Sequence, residues 1–183
     1  MGEEISVLVS QQELNAKIRE LGQKISEDYK GLSKGEALHI ICVLKGGVFF
    51  TCELAKNISV PVTMDFMAVS SYGDATTSSG IVRIVKDLDE SIEQKHVLIV
   101  EDIVDSGRTL SYLLENLKNR RPKSVRLCTL LDKPMCRTAA VNVDYTGFSI
   151  PDEFVVGFGL DYRQKYRNLP YIGVLKPEQS SRE

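Results

Sequence analysis

The segment from Val97 to Leu110, VLIVEDIVDSGRTL, gathers the residue types that do chemistry. An apolar run of strand character leads into two adjacent acids, Glu101 and Asp102. Asp105 follows, and Ser106-Gly107-Arg108-Thr109 then opens a helical pattern. Small residues at a helix start expose backbone N–H groups, and the helix dipole there favours anions. Arg108 and the hydroxyls of Ser106 and Thr109 complete a cradle for one phosphate. The acids would repel that phosphate unless they serve another part of the ligand. Paired carboxylates hold a divalent cation or the vicinal hydroxyls of a ribose, so a phosphorylated sugar satisfies both halves. An ordinary strand–loop–helix with Asp105 or Ser106 as N-cap accounts for Ser106. It leaves unexplained three acids within five positions at the end of an apolar strand.

Leu44-Lys45-Gly46-Gly47 repeats the strand-to-helix position, with two glycines that let backbone amides approach a ligand closely. Alone, a glycine pair after a strand is an ordinary turn, and its weight comes from the company of the first segment. Neither G-x-x-x-x-G-K-[ST] nor G-x-G-x-x-G occurs in the chain. The acids also precede the phosphate loop, whereas a dinucleotide fold places its acid about 20 residues later.

These segments need elements to hold them. Ser10 followed by Glu13 is a capping box, and Leu14, Ile18, Leu21 and Ile25 make one face of a helix ending near Gly31. Strands are expected at Leu38–Leu44, Val60–Val69, Ile81–Val85, Val97–Val100, Val125–Leu131, Phe154–Phe158 and Tyr171–Leu175. Helices are expected at Val48–Lys56 and Leu110–Leu117, and a polar loop over residues 70–80, SSYGDATTSSG. Apolar strands alternating with helices imply an α/β fold, with a parallel sheet covered on both faces and ligands beyond the strands' carboxyl ends.

The length of 183 residues fits one domain, and 43% hydrophobic residues suffice for one core. With 23 Lys+Arg against 25 Asp+Glu, bulk charge does not hold nucleic acid. The basic stretch Asn119–Lys123 instead complements a helix C-terminus. No apolar run is long enough for a membrane span. Cys42, Cys52, Cys128 and Cys136 form no C-x-x-C pair, and the acidic start MGEEISVLVS is unlike a signal peptide. Reduced thiols and a cytoplasmic location are expected. Met1–Ser6 fits a myristoylation pattern and Asn57–Ser59 a glycosylation sequon, both chance matches to short motifs.

VLIVEDIVDSGRTL resembles the phosphoribosyl-diphosphate signature of type I phosphoribosyltransferases. With Leu44–Gly47, Leu131-Asp132-Lys133-Pro134 and FVVGFGLDYRQKYRNLPYIGVL from Phe154 to Leu175, the chain is similar to the hypoxanthine (hypoxanthine-guanine) phosphoribosyltransferases over about residues 5–176. The resemblance implies a single-domain type I phosphoribosyltransferase-like fold over 1–183, with a mostly parallel central sheet, helices on both faces and a small hood. It implies Mg²⁺-dependent transfer of phosphoribose from phosphoribosyl diphosphate to hypoxanthine or guanine, giving IMP or GMP and pyrophosphate, in a homodimer or homotetramer. On that resemblance Glu101 and Asp102 would hold the ribose hydroxyls, directly and through Mg²⁺, and Asp105 would be the acid/base at purine N7. Ser106, Gly107, Arg108 and Thr109 would bind the 5′-phosphate, and Lys45, Gly46 and Arg167 the pyrophosphate. Lys133 would donate to the purine 6-oxo group, Phe154 would stack on the base, and the Val155 backbone would read its edge. Asp161 would serve a second Mg²⁺ beside the purine, and Ser71 and Tyr72 would lie in a lid over the leaving group. The alternative is a nucleic-acid-binding regulator on the same fold, for which the chain has neither a basic face nor length for an added domain.

Overall fold

The computed structural model describes residues 4–72 and 81–176. A six-stranded sheet has the order β4-β3-β2-β5-β6-β7. Its members are β2 (Leu38–Leu44), β3 (Val62–Tyr72), β4 (Ile81–Lys86), β5 (His96–Val104), β6 (Ser124–Asp132) and β7 (Tyr145–Ser149). All neighbours are parallel except β3 and β4. Three helices cross over it: α1 (Gln11–Asp28), α2 (Val48–Lys56) and α3 (Arg108–Lys118). A second, antiparallel sheet of order β1-β9-β8 forms the hood from β1 (Glu4–Val9), β8 (Val155–Val156) and β9 (Ile172–Lys176).

Strand side chains alternate between two cores, as the two-residue period requires. Ile40, Leu98, Val100 and Leu130 meet Leu14, Ile18, Leu21 and Ile25 of α1 and Phe50 and Leu54 of α2. Their neighbours Ile41, Ile99 and Leu127 meet Leu110, Leu113 and Leu117 of α3 on the other face. The capping box of α1 is formed, with the Glu13 amide donating to Ser10 Oγ at 3.3 Å and Ser10 N donating to Glu13 Oε2 at 2.8 Å. α3 is held on the sheet by an apolar stripe burying about 1.5–3 kcal/mol per leucine, which fixes where its N-terminus points.

The structure departs from the sequence pattern in six places. β5 continues through Glu101 and Asp102 to Val104, because β6 runs alongside to Asp132 and pairs Glu101 with Thr129 and Val104 with Asp132. β3 starts at Val62, after Pro61, which lacks an N–H. It runs on through Ser70, Ser71 and Tyr72, paired with Arg83, Val82 and Ile81. Of the lid expected over 70–80, these backbone positions are therefore strand; residues 73–80 and the side chains of Ser71 and Tyr72 lie outside the described residues. β1 and β7 are additional strands. The strand expected at Phe154–Phe158 shrinks to Val155–Val156, because Gly157, Phe158 and Gly159 adopt φ of +101°, +48° and +104° and curl the chain back.

Candidate active site

The site is assembled from the carboxyl ends of parallel strands, closed by the loop between β8 and β9. After β2 the Leu44–Lys45 peptide is cis, and Gly46 lies against Asp102. A Cβ on Gly46 would stand 1.6 Å from Asp102 Oδ2, so only glycine fits. Gly159 in turn packs on Gly46, its own hypothetical Cβ 2.0 Å from the Gly46 carbonyl oxygen. Three separate segments thus meet at backbone distance around one carboxylate.

Asp102 is buried, and its Oδ1 accepts from the Ile103 amide at 2.8 Å. Glu101 Oε1 accepts from the Asp102 amide at 3.3 Å. Among the described residues neither acid forms a salt bridge. Burial and the neighbouring Asp102 charge push the Glu101 carboxyl well above the ordinary carboxylate range. Burial raises Asp102 as well, with the Arg167 guanidinium pulling in the other direction. Two adjacent carboxylates without a counter-charge are an invitation to a cation.

Beyond them the chain turns through the exposed Asp105 and through Ser106 to Gly107, whose φ of +80° caps α3 without a side-chain bond. Neither Asp105 nor Ser106 is the N-cap. The turn is braced from outside: Thr138 N and Ala139 N donate to the Ser106 carbonyl at 2.9 and 3.1 Å, and Arg137 donates to the Asp105 carbonyl at 2.7 Å. Arg108 Nε donates to Thr138 Oγ1 at 3.1 Å. A cavity of about 280 Å³ is lined by Leu44, Glu101, Asp105, Ser106, Gly107 and Thr109. Its lining brings the acids Glu101 and Asp105 together with the N-terminus of α3, suited to a sugar carrying a phosphate.

β6 delivers Lys133, whose amide donates to the Val104 carbonyl at 2.9 Å. Its side chain is almost wholly buried, with Nζ 3.1 Å from Asp152 Oδ1 and 3.9 Å from Asp105 Oδ2. Phe154 is 53% exposed, large for an aromatic ring, and its only ring partner among the described residues is Tyr162, edge-on at 5.6 Å. Val155 is buried and paired with Val174 of β9. Asp161 faces Arg167, with Oδ1 2.5 Å from Arg167 Nη2 and Oδ2 accepting from the Gln164 amide at 2.8 Å. Arg167 also donates to the Gly159 carbonyl at 2.6 Å.

Of the residues expected to act together, the structure unites Glu101, Asp102, Gly46 and the 105–109 turn, and sets Lys133 beside Asp105. It does not gather Glu101, Asp102 and Asp161 into one cluster: among the described residues no group of three His, Cys, Asp or Glu is placed to hold a metal ion. Mg²⁺ needs only one or two carboxylates when substrate phosphates supply the other oxygens, so the Glu101–Asp102 pair still fits such an ion. Sequence reading missed Asp152, Arg137, Thr138 and Gly159. A D-x-x-x-x-R pattern joins Asp132 to Arg137 in an ion pair, but nothing in one sequence marks it out.

A family model for the phosphoribosyl transferase domain matches residues 6–163. The hypoxanthine-guanine phosphoribosyltransferase of Mycobacterium avium is 54% identical, over 94% of this chain and 86% of its own. A hypoxanthine phosphoribosyltransferase structure from Staphylococcus aureus superposes with a TM-score of 0.89 at 48% identity, covering 96% of this chain and 94% of that one. The bifunctional TilS/HprT protein of Listeria innocua is 56% identical over 94% of this chain, which spans only 26% of that protein. The chain belongs to the phosphoribosyltransferase family, in the branch of the hypoxanthine and hypoxanthine-guanine phosphoribosyltransferases.

Because burial first and the Asp102 charge second disfavour an ionised Glu101 in the folded protein, Glu101→Gln is expected to stabilise the ligand-free protein. Relief of about 1 kcal/mol corresponds to a Tm increase of about 2–4 °C for a chain of this size. Differential scanning calorimetry without divalent cations checks this; an unchanged or lowered Tm contradicts it.

Proposed function

We propose that the protein transfers the 5-phosphoribosyl group of phosphoribosyl diphosphate to hypoxanthine or guanine, releasing pyrophosphate and forming IMP or GMP. The observation that carries this reading is Lys133. A buried ammonium held by the Asp152 carboxylate and 3.9 Å from that of Asp105, at the start of the phosphate-type turn, suits a base with an acceptor at one edge.

In the reaction the bond from the anomeric carbon to pyrophosphate breaks and a bond to purine N9 forms. The proton on N7 passes to Asp105, which lies at the open end of the turn within 3.9 Å of Lys133. Ser106, Gly107, Arg108 and Thr109 hold the 5′-phosphate through α3's first-turn amides and their own side chains. Glu101 and Asp102 take the ribose hydroxyls. They are also the residues that would hold Mg²⁺, since the half-buried Glu101 and the buried Asp102 stand side by side with oxygens of the kind that ion takes. Bound there, a divalent ion neutralises charge on the departing pyrophosphate. Lys45 and the backbone at Gly46 bind the same leaving group with Arg167, while Asp161, partnered by Arg167, serves the second cation. Phe154 stacks on the base, the Val155 backbone reads its edge, and Ser71 and Tyr72 flank the pyrophosphate.

We place the enzyme in the cytoplasm as a homo-oligomer, free of nucleic acid and membrane. Among the described residues no helix is long and apolar enough to cross a bilayer. The regulator alternative gains nothing from a net charge of −2.

Lys133 sets the base selectivity. A charged lysine only donates; the 6-oxo group of hypoxanthine or guanine accepts, whereas adenine presents an amino group there. A site built to make one hydrogen bond rejects the analogue that leaves it unmade by up to about 10⁴–10⁵-fold. Given equimolar hypoxanthine and adenine at limiting phosphoribosyl diphosphate, the protein is expected to make IMP with scarcely any AMP. Comparable yields would sink the Lys133 assignment. Asp105→Asn is expected to retain base binding and lose roughly 10²–10⁴-fold in turnover, the ordinary range for general acid–base catalysis; turnover within twofold of wild type would remove Asp105 from that role.

A further inference from the structure

We propose that Asp152 is a positioning residue for base recognition: it anchors the Lys133 ammonium so that a remaining N–H points at the purine 6-oxo group. The inference rests on the base-recognition role of Lys133 stated above.

Asp152 lies in the connection between β7 and β8, two residues before Phe154. Its Oδ1 accepts from Lys133 Nζ at 3.1 Å. The Lys133 side chain is 8% exposed, whereas that of Asp152 is 74% exposed. A buried ammonium is costly to leave unpaired, while an exposed carboxylate is cheap to hydrate. The dependence is therefore one-sided: Lys133 needs Asp152 far more than Asp152 needs Lys133. Asp105 is the other anion near Nζ, but at 3.9 Å it is beyond hydrogen-bond reach, and its carboxylate is committed to the N7 proton. Among the described residues Lys133 Nζ donates to no other group than Asp152. An ammonium has three N–H donors, so anchoring one leaves others for the ligand.

The hydrogen bond from Lys133 also holds the Asp152 carboxylate below the usual carboxylate range, so the anchor stays charged. Asp152 therefore links the turn following β6 to the segment that presents Phe154 and Val155, the two expected contacts of the base. Its influence falls on the base and not on the 5′-phosphate turn, which is braced by Arg137 and Thr138 instead.

The test compares Asp152→Ala and Asp152→Asn with wild type. Loss of a hydrogen bond to a charged group is worth about tenfold or more in affinity. In Asp152→Ala, KM for hypoxanthine is expected to rise about tenfold while KM for phosphoribosyl diphosphate stays within twofold. Asp152→Asn, which keeps an acceptor, is expected to recover most of the loss. A structural role alone would move both KM values together or neither. A hypoxanthine KM within twofold of wild type in Asp152→Ala overturns the proposal. An activity-independent reading separates this from failure of the enzymatic assignment: reductive methylation of Lys133 in the ligand-free protein, followed by mass spectrometry. Asp152→Ala is expected to speed modification of Lys133 several-fold; an unchanged rate overturns the anchoring even if no nucleotide is ever formed.

Discussion

Two carboxylates stand side by side near the end of the central strand β5, Asp102 buried and Glu101 half-buried, each charge disfavouring the other, and among the described residues neither forms a salt bridge. That repulsion organises much of what surrounds it. Gly46, with no Cβ, lies directly against the buried Asp102 carboxylate, and Gly159 packs in turn on the Gly46 backbone. The positive-φ turn from Gly157 to Gly159 brings Arg167 close enough to offset part of the charge. The helix α3 supplies the opposite polarity a few residues further on. A ligand with both hydroxyls and phosphates is the natural neutraliser of such a divided surface, since its metal-bound and anionic parts meet opposite fields.

The division also separates the two tasks of the site. On the proposed reading the 5′-phosphate meets the backbone at the N-terminus of α3 and the ribose meets Glu101 and Asp102, while the base meets the segments after β6 and before β8. Asp105 sits at the junction, its carbonyl gripped by Arg137 and its carboxylate facing Lys133. Ridged packing of α3 on Ile41, Ile99 and Leu127 keeps that junction fixed relative to the strands.

How much of this was legible follows from whether the signal was local. The α1 helix, its capping box and the succession of strand, turn and helix from β5 to α3 are encoded within short windows, although β5 runs further and Gly107 takes the cap of α3. The parallel order followed from the unbroken apolar character of Leu38–Leu44 and Val97–Val100. Strands β1 and β7 did not announce themselves: EISVLV has three of its six residues exposed, and YTGFS is short and mixed, so both exist only through a partner. The reach of β5 past its apolar run was likewise set by β6. Phe154–Phe158 has strand composition, but Gly157 and Gly159 permit a curl that tertiary contacts with Gly46 and Tyr171 select. Asp152 and Arg137 act across loops, on Lys133 and Asp105, and single-sequence spacing carries no trace of such a contact. Whether Asp161 joins Glu101 and Asp102 in one cluster is a property of the fold alone, and among the described residues it does not.

The central claim is that the Glu101–Asp102 pair accepts its ligand only together with a divalent cation. Isothermal titration of the wild-type protein with phosphoribosyl diphosphate, in Mg²⁺ and again in excess EDTA, tests it most directly. The account predicts saturable binding with Mg²⁺ and a loss of at least tenfold in affinity without it. Equal affinity in the two buffers would contradict it.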